Sequence, residues 1–207
     1  YDGLGQLTVE GAGSLLEIAG DLDIHGFRGD GMMTIADGGR VVSGNANIGT
    51  GGLNGWGHVA ITGAGSVWES GHVQIGSDGR DAPNGTLTLS DGGRIHGQIA
   101  TLGYGGVLAI GGGIDGNRDP LAATAAGLFD VDALSIANPY QSYRGTLLFN
   151  HTDTDYVFGT ALSGTGRLQH VAGDTRLTGD SNGYTGTTSV TGGTLLVDGQ
   201  LGGTVAV

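Results

Sequence analysis

Five short apolar segments recur at near-constant spacing: LTV at 7–9, MTI at 33–35, VAI at 59–61, LTL at 87–89 and LAI at 108–110. Their central residues, Thr8, Thr34, Ala60, Thr88 and Ala109, stand 26, 26, 28 and 21 apart. A second set follows the first: LLEI (15–18), RVVS (40–43), SVWE (66–69) and RIHG (94–97). A third set follows that: LDI (22–24), ANI (46–48), VQI (73–75) and ATL (100–102). The turns between the first two sets alternate, GAGS, DGGR, GAGS, DGGR, which makes a pair of coils the candidate repeating unit. Three short strands per period of this length are the signature of a parallel β-helix. The expected fold is therefore all-β, a single-stranded parallel β-helix, a solenoid of about eight coils. Alternation along each strand directs Leu7, Val9, Met33, Ile35, Val59, Ile61, Leu87, Leu89, Leu108 and Ile110 inward. The Thr and Ala residues between them point outward. Each inward residue stacks on its equivalent one coil away, about 4.8 Å along the axis. A β-sandwich of many short strands is the competing reading; three aligned families with in-register equivalents favour the solenoid.

Composition fits this object. The chain has 46 Gly and 3 Pro in 207 residues, without the strict period of collagen. A hydrophobic content of 38% is enough for a core, so the glycine does not signal disorder. Gly is expected at coil corners, where positive φ is needed. A net charge of −12, with eight Arg and no Lys, argues against nucleic acid and anionic lipid as partners. Absence of Cys excludes disulfides and thiolate metal sites. There is no apolar run of 18 residues. Tyr1 opens on no charged-then-apolar leader, as expected of an internal stretch of a longer exported chain. Residues 119–129, DPLAATAAGLF, interrupt the repeat and offer the one place for a helical turn. The chain is thus expected to divide into regular coils at 1–114, an irregular insertion at 115–145, and C-terminal coils at 146–207.

The connections from the third set to the first vary in length: HGFRGDG (25–31), GTGGLNGWG (49–57), GSDGRDAPNG (76–85) and GYGG (103–106). In a solenoid, such loops emerge along one edge, and variable loops are where binding concentrates. The candidate partner-binding edge therefore holds Phe27, Arg28, Gly29, Asp30, Trp56, Asp78, Arg80 and Asp81. Arg28-Gly29-Asp30 spells the tripeptide that many integrins read. A chain this rich in Gly and Asp produces it by chance often enough that ordinary surface charge is the preferred role.

The C-terminal third carries the pieces LLFNHT (147–152), LSGTGRL (162–168) and TRLTGDSNGYTGTTSVTGGTLLVDG (175–199). With the upstream coils GAGSVWESGHVQIG and GTLTLSDGGRI, this stretch resembles the passenger domain of type Va autotransporters, secreted proteins of Gram-negative bacteria. The family's passenger-associated transport repeat is matched at Leu177-Thr178-Gly179, Asn182, Tyr184-Thr185-Gly186, Thr187-Thr188 and Gly192-Gly193-Thr194-Leu195. Gly183, between Asn182 and Tyr184, departs from the pattern. The resemblance implies a right-handed β-helix at the bacterial cell surface or outer membrane, or secreted, reached through the periplasm. It implies a C-terminal β-barrel translocator in the same polypeptide, outside this stretch. It also implies that the last coils act as an autochaperone, a folding seed for the stack. Stacking physics is compatible, since each coil needs a neighbour to bury its ends. TSVTGGTLLV (188–197), with high β-propensity and a tight Gly-Gly turn, suits such a seed.

Catalytic signals are weak. GGGIDG (111–116) fits G-x-G-x-x-G, but no helix follows it. Neither G-x-S-x-G nor H-E-x-x-H occurs. His25, His58, His72, His96, His151 and His170 show no ligand-like spacing; surface or corner positions are expected, with His151 in a structural turn. The acid pairs Asp21/Asp23, Asp130/Asp132 and Asp153/Asp155 could line one strand face, as in β-helical lyases, yet solvated faces are the simpler reading. Calcium has two candidate loops, 77–81 and 115–119, without the tandem nonapeptide that usually holds it. The expectation is no catalytic residue, cofactor or metal. The chain reads as a non-enzymatic stalk and folding seed of an adhesin or self-association factor, with host-cell or bacterial surface ligands as partners. The alternative is the stem of an enzymatic passenger whose catalytic domain lies N-terminal to it.

Overall fold

The computed structural model describes residues 4–25, 29–50, 55–77, 85–137 and 144–206. Every strand pair in it is parallel, and the only antiparallel pairings are isolated bridges. No helix occurs among the described residues. The architecture is a parallel β-helix built from stacked sheets.

The first family of strands forms a nine-stranded sheet: Gly5–Glu10, Gly31–Ala36, Gly57–Thr62, Gly85–Ser90, Val107–Gly111, Thr146–Asn150, Arg167–Ala172, Thr187–Val190 and Thr204–Ala206. Its eight steps, at about 4.8 Å each, make a stack roughly 38 Å long. The second and third families lie together in a ten-stranded sheet. In the early coils they are separate strands, such as Val67–Glu69 and His72–Ile75. In two later coils the bend between them disappears, and the single nine-residue strands Arg94–Leu102 and Leu128–Ile136 replace both. Tyr156–Phe158, Asp174–Leu177 and Thr194–Val197 make a third, three-stranded sheet at the C-terminal coils.

Register builds the core in columns. One runs Leu7, Met33, Val59, Leu87, Leu108, Leu147, Leu168. Its neighbour runs Val9, Ile35, Ile61, Leu89, Ile110, Phe149, His170. On the ten-stranded sheet the columns are Leu16, Val41, Trp68, Ile95, Phe129 and Ile24, Ile48, Ile75, Leu102, Ile136. All these residues are buried except Leu7 and Leu16 of the first coil, which are half-buried. Fully burying one such aliphatic side chain stabilises by about 1.5–3 kcal/mol. Trp68, the largest, satisfies its indole N–H by donating to Ser43 Oγ at 3.0 Å.

The alternating turns have two distinct backbones. In GAGS both glycines take positive φ, as at Gly63 and Gly65. In DGGR it is the Asp and the first Gly, as at Asp37 (52°) and Gly38 (85°). Asp tolerates this left-handed region better than most residues. Successive turns nest: a Cβ on Gly38 would lie 3.3 Å from Ala12 Cα, and Ser66 Oγ accepts the Gly38 N–H at 3.1 Å.

One expectation changes. Residues 119–127 are extended rather than helical, pinned by bridges Ile114–Pro120, Thr124–His151 and Ser90–Ala126. Pro120 and the backbone bonds to the neighbouring coils take the groups a helix would use internally. Ala109, outward by alternation, is nevertheless fully buried with Val107 and Leu148. Residues 112–122 fold back over the outer face of the sheet and place Ile114 on them. Leu128–Ile136, within the stretch set apart at 115–145, is a regular strand between Arg94–Leu102 and Ala161–Gly164.

Candidate partner-binding edge and terminal coils

Each variable loop leaves the ten-stranded sheet and returns at the first residue of a nine-stranded-sheet strand. The entry residues Gly31, Gly57 and Gly85 stand in register. A Cβ on Gly57 would collide with Ile24 O and Gly49 N; one on Gly85 would collide with Ile48 O and Gly76 N. Those carbonyls are already engaged, with Gly49 N donating to Ile24 O at 2.9 Å and Gly76 N to Ile48 O at 2.8 Å. Gly49 and Gly57 therefore meet at the base of one loop, and Gly76 and Gly85 at the base of the next. Backbone packing holds these two loop bases shut.

On this edge Asp30 is exposed and Gly29 half-buried. The Asp30 backbone carbonyl accepts from Gly5 N at 2.9 Å. Trp56 is half-buried, and its ring stacks on His58 with centroids 5.6 Å apart and planes 25° from parallel. Burial lowers the His58 pKa, and the Asp30 carboxylate pulls it back up. Phe27, Arg28, Asp78, Arg80 and Asp81 lie outside the described residues. His58 was not among the edge residues read from the sequence. The signal available was its i, i+2 spacing from Trp56, which puts both rings on one strand face.

The repeat-motif residues occupy the joints of the terminal coils. Leu177 and Tyr184 are buried. The Tyr184 hydroxyl donates to Thr187 O at 2.7 Å, with Gly166 O also 3.3 Å away. Thr178 N donates to Phe158 O, Thr185 N to Gly164 O and Thr194 N to Gly173 O, each tying a coil to the one before. Gly179, Gly186 and Gly193 sit where a Cβ would strike Thr160 O, Gly166 O and Gly173 O. Asn182 N donates to Asp180 Oδ1 in an exposed turn. Gly192 offers its carbonyl to His170 Nδ1, and Leu195 packs half-buried against the core.

His151 and His170 correct the surface or corner role expected for them. Both are fully buried, and His170 takes the place in its column that Phe149 and Ile110 hold one and two coils earlier. An isolated His in a Gly-rich stretch carries no periodic signal, so only register reveals it.

Four of the six acids of the three pairs are engaged in structural contacts. Asp21 Oδ1 accepts from Asn45 N and Nδ2, and Asp23 Oδ1 from Asn47 Nδ2 at 2.7 Å. Asp130 pairs with Arg94 and His96, and Asp153 Oδ2 accepts from Ala126 N. Asp115 Oδ1 accepts from Asn117 N and Asp119 N within its own turn. Among the described residues no three His, Cys, Asp or Glu gather as a metal site.

The fold defines the class of object, a parallel β-helix with one variable edge. Across 204 residues, 96% of its length, the chain is 36% identical to the Adhesin BmaC autotransporter of Brucella suis biovar 1 (strain 1330). The chain spans about 6% of that relative's length. No protein-family model matches the chain, and no solved structure matches it significantly.

Proposed function

We propose that this chain is a stretch of the surface-exposed passenger of an autotransporter adhesin, serving as non-enzymatic β-helical stalk and, through its last coils, as folding seed. The observation that carries this reading is the similarity to an adhesin autotransporter over nearly the whole chain, joined to a solenoid fold. Asp21, Asp23, Asp130 and Asp153 support the non-enzymatic part, since their carboxylates brace turns and coils. The seed role draws on the inter-coil bonds of Tyr184, Thr185 and Thr194 to Gly166, Gly164 and Gly173. The translocator is a β-barrel of the same polypeptide, and surface ligands bind at the variable edge around Trp56, His58 and Asp30.

The test is deletion of residues 173–200 from the whole secreted protein. Surface display should fall while the barrel still inserts in the outer membrane. Normal display after that deletion removes the seed role.

A further inference from the structure

Three successive coils are joined inside the stack by one chain of polar groups. His151 follows the strand Thr146–Asn150. His170 lies in Arg167–Ala172 and Thr175 in Asp174–Leu177, both one coil on. Gly192 precedes Thr194–Val197 in the coil after that. The Thr175 hydroxyl stands within hydrogen-bond reach of Nε2 on both rings, and His170 Nδ1 donates to the Gly192 carbonyl. All three side chains are buried. In earlier coils the column of His170 holds Ile35, Ile61, Leu89 and Ile110, which need no partners.

This arrangement suits neither ring as a cation. A proton added to His170 goes to Nε2, where it meets the hydrogen that the Thr175 hydroxyl directs at that atom. A proton added to His151 goes to Nδ1, which is buried without a hydrogen-bond partner. Backbone closes over that atom: a Cβ on Gly173 would lie 2.3 Å from it. The ring centroids are 6.1 Å apart, so two charges would repel across a dry interior. Burial lowers both pKa values, against the pull of Asp153 on His151 and of Asp174 on both rings. Asp153 is already engaged by Ala126 N. Tyr156, its ring 5.1 Å from that of His151, has its own pKa raised by burial and stays neutral.

The bonds at stake hold the coils with the least other support. Among the described residues Thr194–Val197 has a strand neighbour on one side only. Leu196 and Val197 are exposed, and Leu195 is half-buried. Elements with few buried apolar contacts open at the lowest free energy.

We infer that the chain His151–Thr175–His170–Gly192 is an acid-operated latch, which holds residues 174–198 to the coils before them at neutral pH and releases them, with the upstream solenoid intact, in mild acid. The released segment frees both rings to bind protons that the closed one excludes. The latch is therefore fully closed above about pH 6.5 and opens as pH falls below that value. It is independent of the adhesin and seed readings.

Hydrogen exchange of the 207-residue chain at pH 7.5 and 5.5 tests it, with rates corrected for the pH dependence of chemical exchange. Protection across 174–197 should fall roughly tenfold or more, since each ring can contribute up to about tenfold per pH unit below 6.5. Gly85–Ser90 and Val107–Gly111 should hold within about twofold. In the native chain, carbon-13 signals of the two rings should report neutral imidazole at pH 7.5 and protonation in step with the lost protection. The double variant His151→Leu/His170→Leu should show no pH response at 174–197, whatever its absolute protection. His96→Gln, at an exposed ring paired with Asp130, should keep the response. Equal loss along the whole chain, or no loss at 174–197, overturns the latch from the native chain alone. Opening while both rings stay neutral, or a pH response that survives in the double variant or vanishes in His96→Gln, overturns the role of the two histidines.

Discussion

His151 and His170 share one hydroxyl: the Nε2 atoms of the two buried rings lie 2.7 and 3.0 Å from Thr175 Oγ1. His170 Nδ1 faces the Gly192 carbonyl at 2.8 Å, so it carries the proton and Nε2 accepts from the Thr175 hydroxyl. Thr175 Oγ1 in turn accepts from His151 Nε2–H. His151 Nδ1 is then a bare acceptor, buried without a hydrogen-bond partner. Both rings are neutral in this arrangement.

Burial lowers both pKa values, outweighing the opposing pull of Asp153 and Asp174. The unfolded chain therefore binds more protons than the folded one once pH falls below the ordinary histidine value of about 6.5. Stability should be flat above that pH and fall as pH drops from 6.5 to 5.5, by at most about 1.4 kcal/mol per pH unit for each ring. His151→Leu should shallow the slope. Denaturant unfolding at pH 7.5 and 5.5 measures it, and identical stability at the two values would sink the idea.

The inward column predicts a sharp asymmetry. Ile61→Asp buries an unpaired carboxylate between Ile35 and Leu89 and should destabilise by several kcal/mol. Thr34→Asp, on the outer face of the adjacent strand, should change stability by about 0.5 kcal/mol or less. Comparable losses in urea unfolding would show that the two faces are interchanged.

Loop bases should tolerate no side chain. Gly85→Ala forces a methyl into Ile48 O and Gly76 N and should cost about 2 kcal/mol or more. Gly116→Ala meets nothing within 4 Å and should be nearly silent. A Gly85→Ala melt equal to that of Gly116→Ala would disprove the closed base.

In the terminal coils, Tyr184→Phe removes the hydroxyl that bonds Thr187 O and should cost about 1 kcal/mol. Gly186→Ala should cost more, because its methyl would meet both Gly166 O and the Tyr184 ring. The order of the two unfolding midpoints checks this, and the reverse order contradicts it.

Asp30→Glu keeps the charge of an exposed carboxylate and lengthens it by one methylene. Adhesion by the whole protein should be unchanged, since integrin sites generally reject that lengthening and a plain surface charge does not. A sharp fall in adhesion at normal display would make Arg28-Gly29-Asp30 a ligand.

The columns were legible because burial leaves a period: Met33, Ile35, Val59 and Ile61 announce their faces by alternation alone. The paired turn types were equally visible, since Gly and Asp suit the positive φ found at Gly63 and Asp37. Ala109 does point outward, but its burial was not legible, because alternation gives the direction of a side chain and says nothing of what later covers it.

The shut loop bases have a bearing on how such a molecule diversifies. Because Gly57 touches Gly49 and Gly85 touches Gly76, the chain returns to the same point in space whatever lies between. Lengthening such a segment costs only closure entropy, about 0.6 kcal/mol per doubling. The coil supplies an unvarying socket, and the inserted sequence becomes a replaceable cartridge. Segments can thus be exchanged along this edge, by mutation or by deliberate grafting, without the solenoid having to be solved again.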